Sequence, residues 1–109
     1  MVPSGRIRIT VDRPFGSRHP QYHEMIYPIN YGFIPGLKAP DGEEQDVYIL
    51  GPQEPLAQFE GFIIAVIHRR DDCEDKWVAA SARGQYSEEE IRSFTWFMER
   101  YFDSWIEMI

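Results

Sequence analysis

The sequence is poor in cysteine and has no long run of apolar residues. Cys73 is the only cysteine among 109 residues, which excludes an internal disulfide framework and a cysteine-based zinc site. The longest apolar run, residues 62–67, is far too short to cross a bilayer, and the first residues lack the apolar core of a signal peptide. We therefore expect one domain, residues 1–109, that is soluble, cytoplasmic and not bound to a membrane.

Basic residues are also scarce, and the excess of acid is concentrated in two places. The chain has 11 basic and 18 acidic residues, a net charge of -7, and no broad basic patch, so we expect no nucleic-acid binding. Eight of the acids lie in residues 41–46 and 71–75, and without them the remaining charges would nearly balance. A surface acidified only for solubility would spread its charge, so the acidity is a local feature.

The hydrophobic pattern predicts strands over most of the chain. Residues 6–12 alternate polar and apolar side chains, which is typical of a half-buried strand. The two prolines and two glycines of residues 27–36 exclude a helix there, and the apolar content of that segment suggests buried extended chain. Further strands are expected at residues 46–50, 61–67 and 76–81, separated by turns that contain glycine, proline or charged residues.

A helix is expected near the end of the sequence. Ser87 and Glu90 match a capping box, and apolar side chains then recur every three or four residues at Ile91, Phe94, Met98, Tyr101, Trp105 and Met108. This stripe predicts a long C-terminal α-helix, roughly 88–107. Several strands followed by one helix indicate an α+β fold, with a small barrel-like sheet.

Each acidic run lies at the end of a predicted strand, and in a small barrel such ends can meet at one rim. Clustered carboxylates repel one another unless they are protonated or bind cations, and hard oxygen ligands select Mg²⁺, Mn²⁺ or Ca²⁺. The alternative is that both runs are solvated turns. The spacing of the acids does not decide between them.

Three blocks of the sequence, in order, resemble the soluble family I inorganic pyrophosphatases. Residues 27–36, YPINYGFIPG, resemble that family's YPxNYGxIP segment. Residues 41–47, DGEEQDV, are similar to its D-G-D-P-x-D-V signature. Residues 71–79, DDCEDKWVA, resemble a shortened D-x-x-x-E-D-x-K-x-x-A block.

The resemblance implies a five-stranded, OB-like barrel and an inorganic diphosphatase that uses Mg²⁺, or Mn²⁺, to hydrolyse pyrophosphate or a related phosphoanhydride. On matching positions, the metal ligands would be Asp41, Asp46, Asp71 and Asp75, with Asp72 as the competing choice for Asp71. Asp46 would bridge two metals and serve catalysis together with Glu43, which replaces the aspartate that orients the attacking water. Tyr31, Lys76 and Tyr101 would contact phosphate oxygens.

The chain also departs from the family pattern, above all among the basic residues. One alignment places Arg13 in the family's V-D-R segment as a phosphate contact, whereas another places residues 16–18 on an early G-S segment, and both cannot hold. Phe102 stands where the family has a lysine after the tyrosine of its E-H-Y-K-D segment.

These departures leave an alternative function open, a weakened or inactive phosphate- or metal-binding homologue. A structural module with merely solvated acidic turns is a third hypothesis. The aromatic content suggests a homo-oligomer, and Cys73, among carboxylates, is not expected to act as a nucleophile.

Overall fold

A computed structural model describes residues 2–72 and 74–109 of the chain; the expectation for Cys73 lies outside the described residues. The order of elements is β1 (Ile7–Arg13), β2 (Asn30–Lys38), β3 (Glu44–Ile49), β4 (Gln58–Arg69), β5 (Asp75–Ala80), α1 (Glu88–Glu99) and β6 (Ser104–Met108). All five strand regions expected from the sequence are therefore strands. Within the described residues, no helix has the length and apolar character needed to span a membrane.

The first five strands close into a mixed barrel in the order β1-β2-β3-β5-β4, because β4 also pairs with β1. The β3–β5 pair is parallel and the other pairs are antiparallel. The expected α+β, OB-like barrel is thus confirmed. The sixth strand, β6, lies outside the closed barrel and pairs antiparallel with the second half of β4.

The apolar side chains form two layers, one inside the barrel and one between its outer surface and the helix. Ile9, Val47, Ile63 and Trp77 come from four strands and meet in the inner layer. The outer layer includes Tyr48 and Val78 from the barrel together with Ile91 from α1. Because alternate residues of a strand face opposite sides, β3, β4 and β5 need apolar residues on both faces. This explains the continuous apolar run that the sequence shows at residues 62–67.

Two residues of the YPINYGFIPG block have structural explanations. A Cβ on Gly32 would lie 1.9 Å from the carbonyl oxygen of Thr10, so the close approach of β1 and β2 requires glycine. Asn30 is fully buried, and its Oδ1 accepts hydrogen bonds from the backbone N–H groups of Phe15 (2.9 Å) and Leu56 (3.1 Å). Asn30 therefore ties the β1–β2 loop and the β3–β4 loop to the start of β2.

The predicted long C-terminal helix is wrong in its second half. The capping box at Ser87 and Glu90 is present, but α1 ends at Glu99, with Arg100 as its C-cap. Residues 104–108 instead extend the sheet along β4. The buried residues of α1 are Ile91, Thr95 and Glu99. Two of them are polar, so the spacing of apolar residues did not identify the buried face of the helix.

Candidate active site

A cleft of about 330 Å³ opens on the outer surface of the barrel, beneath the end of α1. It lies where the outer apolar layer gives way to charged side chains. Its lining combines residues from β1, β2, β3, β4 and β5 with the segment before β2 and the end of the helix: Asp12, Arg13, His19, Pro20, Tyr27, Tyr31, Asp46, Arg69, Glu74, Lys76, Met98 and Phe102.

Lys76 is the centre of the polar contacts in this cleft. Its Nζ donates to Asp46 Oδ2 at 2.6 Å, to Glu74 Oε1 at 2.6 Å and to the Tyr31 hydroxyl at 2.9 Å. The Lys76 side chain is only 7% exposed, so its charge is compensated mainly by these groups. Asp46 and Glu74 are about one third exposed or less, which leaves both carboxylates open to the cleft.

Strand register brings these side chains together. Val47 and Trp77 are paired on the parallel strands β3 and β5 and belong to the inner layer. Because side chains alternate along a strand, the residues that precede them, Asp46 and Lys76, point outward. Tyr31 reaches the same outer face from β2, and the arrangement therefore follows from the fold.

Glu74, rather than Asp75, occupies the cleft beside Lys76. Asp75 faces the other side of β5, where its Oδ2 lies 3.3 Å from His68 Nδ1. A one-residue shift along a strand turns a side chain to the opposite face. The shortened block lacks one residue between its acids and Lys76, so the residue two positions before the lysine is Glu74.

The other acids predicted to bind metal or to orient the attacking water lie outside the cleft lining. Asp41 and Glu43 belong to an exposed turn, in which Asp41 Oδ1 accepts a hydrogen bond from the Glu43 backbone N–H at 3.0 Å. The Asp71 carboxylate accepts from the backbone N–H of Asp103 at 3.2 Å, and Asp72 lies 3.8 Å from Arg69. Of the predicted acids, the structure brings only Asp46 to Lys76.

Among the predicted phosphate contacts, Arg13, Tyr31 and Lys76 line the cleft, whereas Tyr101 does not. Tyr101 is 60% exposed, and its hydroxyl accepts a hydrogen bond from Arg100 at 2.9 Å. Arg18, the arginine of the competing alignment, donates to the carbonyl oxygen of His23. Of the two arginines, Arg13 is therefore the one in the cleft.

A buried ion pair supports the cleft from below. Arg69 and Glu99 make two contacts, Nε to Oε1 at 3.1 Å and Nη2 to Oε2 at 2.7 Å. Tyr48 donates to Glu99 Oε2 at 2.5 Å, and Ser104 donates to Oε1 at 2.9 Å. The Phe102 ring covers the Arg69 guanidinium at 3.6 Å. This network joins β3, β4, α1 and β6 at one point.

The same burial shifts several pKa values. Burial, aided by the nearby Asp46 carboxylate, raises the pKa of Tyr31 well above its usual value, so its hydroxyl stays protonated and can donate. Burial is also the main cause that raises the pKa of Asp12. For Glu99, burial acts to raise the pKa, but hydrogen bonds from Arg69 and Tyr48 outweigh it and lower the pKa.

Four residues of this region were not predicted from the sequence: Asp12, Arg69, Glu74 and Glu99. Counting two residues back from Lys76 would have found Glu74. Glu99 begins the segment that resembles E-H-Y-K-D, but the apolar stripe did not include it, and its burial in α1 was not expected. Nothing in the sequence distinguishes Arg69 from the neighbouring Arg70, because their difference is a matter of burial.

The donor chemistry of the cleft fits a divalent cation. Asp46 and Glu74 each place an oxygen 2.6 Å from Lys76 Nζ, so the two oxygens are no farther apart than twice that distance. Mg²⁺ usually takes one or two carboxylates and fills its other positions with water and substrate phosphate. Within residues 2–72 and 74–109, no three His, Cys, Asp or Glu side chains are grouped to hold a metal ion. The carboxylates in the cleft lining are Asp46 and Glu74, beside Lys76, and Asp12 on β1.

Comparison with known proteins gives the same family as the three blocks. Two relatives named inorganic pyrophosphatase are each 40% identical to the chain. The protein from Aeropyrum pernix matches over 53 residues, 47% of this chain and 30% of its own length. The protein from Saccharolobus solfataricus matches over 67 residues, 59% of this chain and 39% of its own. The matches thus span well under half of these curated relatives.

Solved structures share the fold. A crystal structure of inorganic pyrophosphatase from Ehrlichia chaffeensis superposes with a TM-score of 0.74 at 20% identity, covering 100% of this chain and 88% of that one. One from Neisseria gonorrhoeae gives 0.67 at 24% identity and covers 90% and 74%. The family model described as inorganic pyrophosphatase matches residues 7–104, and the chain therefore belongs to the inorganic pyrophosphatase family.

Proposed function

We propose that this chain hydrolyses inorganic pyrophosphate to two phosphates with Mg²⁺, or Mn²⁺, as the cofactor. The observation that carries the proposal is the group formed by Lys76, Asp46, Glu74 and Tyr31 in the cleft of a member of this family. It combines carboxylates for a hard cation with cationic and hydroxyl donors for phosphate oxygens.

Asp46 and Glu74 are proposed to hold the metal ion. When bound, such a cation offsets the negative charge of pyrophosphate and lowers the pKa of a bound water. Glu74 is proposed in the place that the resemblance gives to Asp75, because it shares the cleft with Lys76. The roles of Asp41, Asp71 or Asp72, and Asp75 as further ligands stay predictions, as does that of Glu43 in orienting water.

Lys76, Tyr31 and Arg13 are proposed to bind the phosphate oxygens. Phosphoryl transfer needs mainly positioning and charge neutralisation, and these three side chains supply donors from three different strands. The raised pKa of Tyr31 keeps its proton in place for that purpose. A phosphate contact by Tyr101, a cytoplasmic location, a single domain over residues 1–109 and self-association also remain predictions.

The test is phosphate release from pyrophosphate with and without Mg²⁺, in the wild type and Asp46→Asn. Glu60→Gln is the matched control, because it removes one negative charge from an exposed pair with Arg8 away from the cleft. We expect Asp46→Asn to lose at least about a hundredfold in rate and the control to keep its rate. Equal release by all three proteins would contradict the proposal. Binding of Mg²⁺ and phosphate without turnover would instead support the weakened homologue.

A further inference from the structure

A second groove lies beside the candidate active site. It has a volume of about 690 Å³ and runs between residues 22–26 and the end of α1. Aromatic and apolar side chains dominate its lining, among them Tyr22, Ile26, Phe97, Met98, Tyr101 and Phe102. This volume lies in the range of pockets that bind small organic ligands.

The groove adjoins the candidate active-site cleft. Met98 and Phe102 line both of them, so a ligand that extends out of the cleft past these two side chains enters the groove. Phe102 also covers the Arg69 guanidinium at 3.6 Å, which fixes its ring as part of the wall. A molecule that reaches from the cleft into the groove would carry phosphates at one end and an apolar group at the other.

The groove keeps apolar surface open to solvent. Tyr22 is 64% exposed, Tyr101 60% and Ile26 49%, although a small protein normally exposes large apolar patches only where they bind something. The Arg100 guanidinium lies 5.0 Å from the centre of the Tyr101 ring. Nucleobases stack on aromatic rings and on arginine side chains, and the groove lining contains both.

We propose that the groove binds the nucleoside of a nucleoside diphosphate whose phosphoanhydride lies in the cleft. The inference rests on the proposed function in taking the cleft as the phosphoanhydride site. Water would add its oxygen to the β-phosphorus, and the bond from that phosphorus to the bridging oxygen would break. The bridging oxygen leaves with the nucleoside monophosphate, and the attacking water gives orthophosphate and a proton.

Binding of two non-hydrolysable diphosphonates in the presence of Mg²⁺ tests this inference. α,β-Methylene-ADP carries a nucleoside, whereas methylenediphosphonate does not. We expect the wild type to bind the nucleotide about tenfold more tightly or better, because a base that stacks on an aromatic side chain adds to the affinity. Tyr22→Ala and Ile26→Ser should bring the ratio of the two affinities close to one, and both leave the charge of the cleft unchanged.

Trp96→Ala is the control, because Trp96 is a 54% exposed aromatic residue of α1 that does not line the groove; it should keep the wild-type ratio. A ratio of one in the wild type, or a ratio that both groove variants leave unchanged, would overturn the inference. If, in addition, sedimentation shows that the groove variants dissociate an oligomer, the groove is an interface between copies.

Phosphate release separates this inference from the proposed function. A wild type that hydrolyses pyrophosphate but binds both diphosphonates equally keeps the proposed function and loses the nucleoside site. A wild type that prefers the nucleotide but does not hydrolyse pyrophosphate has the nucleoside site without the proposed function.

Discussion

Removing either partner of the buried Arg69–Glu99 pair should destabilise the protein strongly. The two side chains are 3% and 6% exposed, and a buried charge left without its partner costs about 3–5 kcal/mol. In Arg69→Met, the Glu99 carboxylate keeps its hydrogen bonds from Tyr48 and Ser104. In Glu99→Gln, the arginine keeps Glu74 at 3.5 Å. Each substitution should therefore lower the free energy of unfolding by about 3 kcal/mol, which lowers the melting temperature by about 12 °C or more.

The double variant Arg69→Met/Glu99→Gln should cost less than the sum of the two single variants. It contains no unpaired charge at this point, and the glutamine oxygen can still accept the hydrogen bond from Tyr48. We expect a coupling free energy of about 1–3 kcal/mol. Urea unfolding followed by tryptophan fluorescence measures it, since the chain has three tryptophans.

The exposed pair of Arg92 and Glu88 is the matched control. Its atoms approach to 2.6 Å, but both side chains are 50% exposed, so Arg92→Met and Glu88→Gln should each cost less than about 0.5 kcal/mol. The reasoning is refuted if the buried variants are equally mild, or if their two losses simply add to within about 0.5 kcal/mol in the double variant.

Three further predictions follow from the structure. The pKa of Glu99 is lowered from its ordinary value of 4.5. The ionised Glu99 therefore stabilises the folded protein fully above that pH, and this contribution is lost as the pH falls through the lower pKa of the folded state. In Glu99→Gln, the midpoint of urea unfolding should depend less on acid pH. Gly32→Ala should destabilise by about 3 kcal/mol through overpacking against Thr10, whereas Gly5→Ala, which has open space around it, should not. Mg²⁺ should raise the melting temperature of the wild type but not of Asp46→Asn; equal rises would contradict the metal site.

The strands could be predicted from the sequence because their evidence is local. Alternation in residues 6–12 and the apolar run at 62–67 each depend on neighbouring residues only, and both became strands. The prediction of the helix was wrong beyond Glu99 because the end of α1 depends on contacts with residues far away in the sequence. Glu99 accepts hydrogen bonds from Tyr48 on β3 and Arg69 on β4, and residues 104–108 pair with β4.

Part of the candidate site could also be predicted. Asp46 and Lys76 were found because each stands in a block that resembles the family, and they do meet in the cleft. The place of Asp75 was harder to predict, because a deletion of one residue in a strand reverses the face of every side chain beyond it. The conformation of the turn at Asp41 and Glu43 depends on backbone hydrogen bonds that no residue pattern reveals.

The contacts of the cleft also show which variants give clear answers about function. Ion pairs run without a break from Glu99 to Arg69, on to Glu74, then to Lys76, and end at Asp46. A change at Arg69 therefore affects both the stability of the fold and the position of Glu74, so a loss of activity there has two explanations. Asp46 stands at the end of this series with a side chain 30% exposed, and its replacement by asparagine leaves the buried pair intact. Lys76 keeps Glu74 as a carboxylate partner in Asp46→Asn, so a loss of activity there has fewer structural explanations than a loss at Arg69.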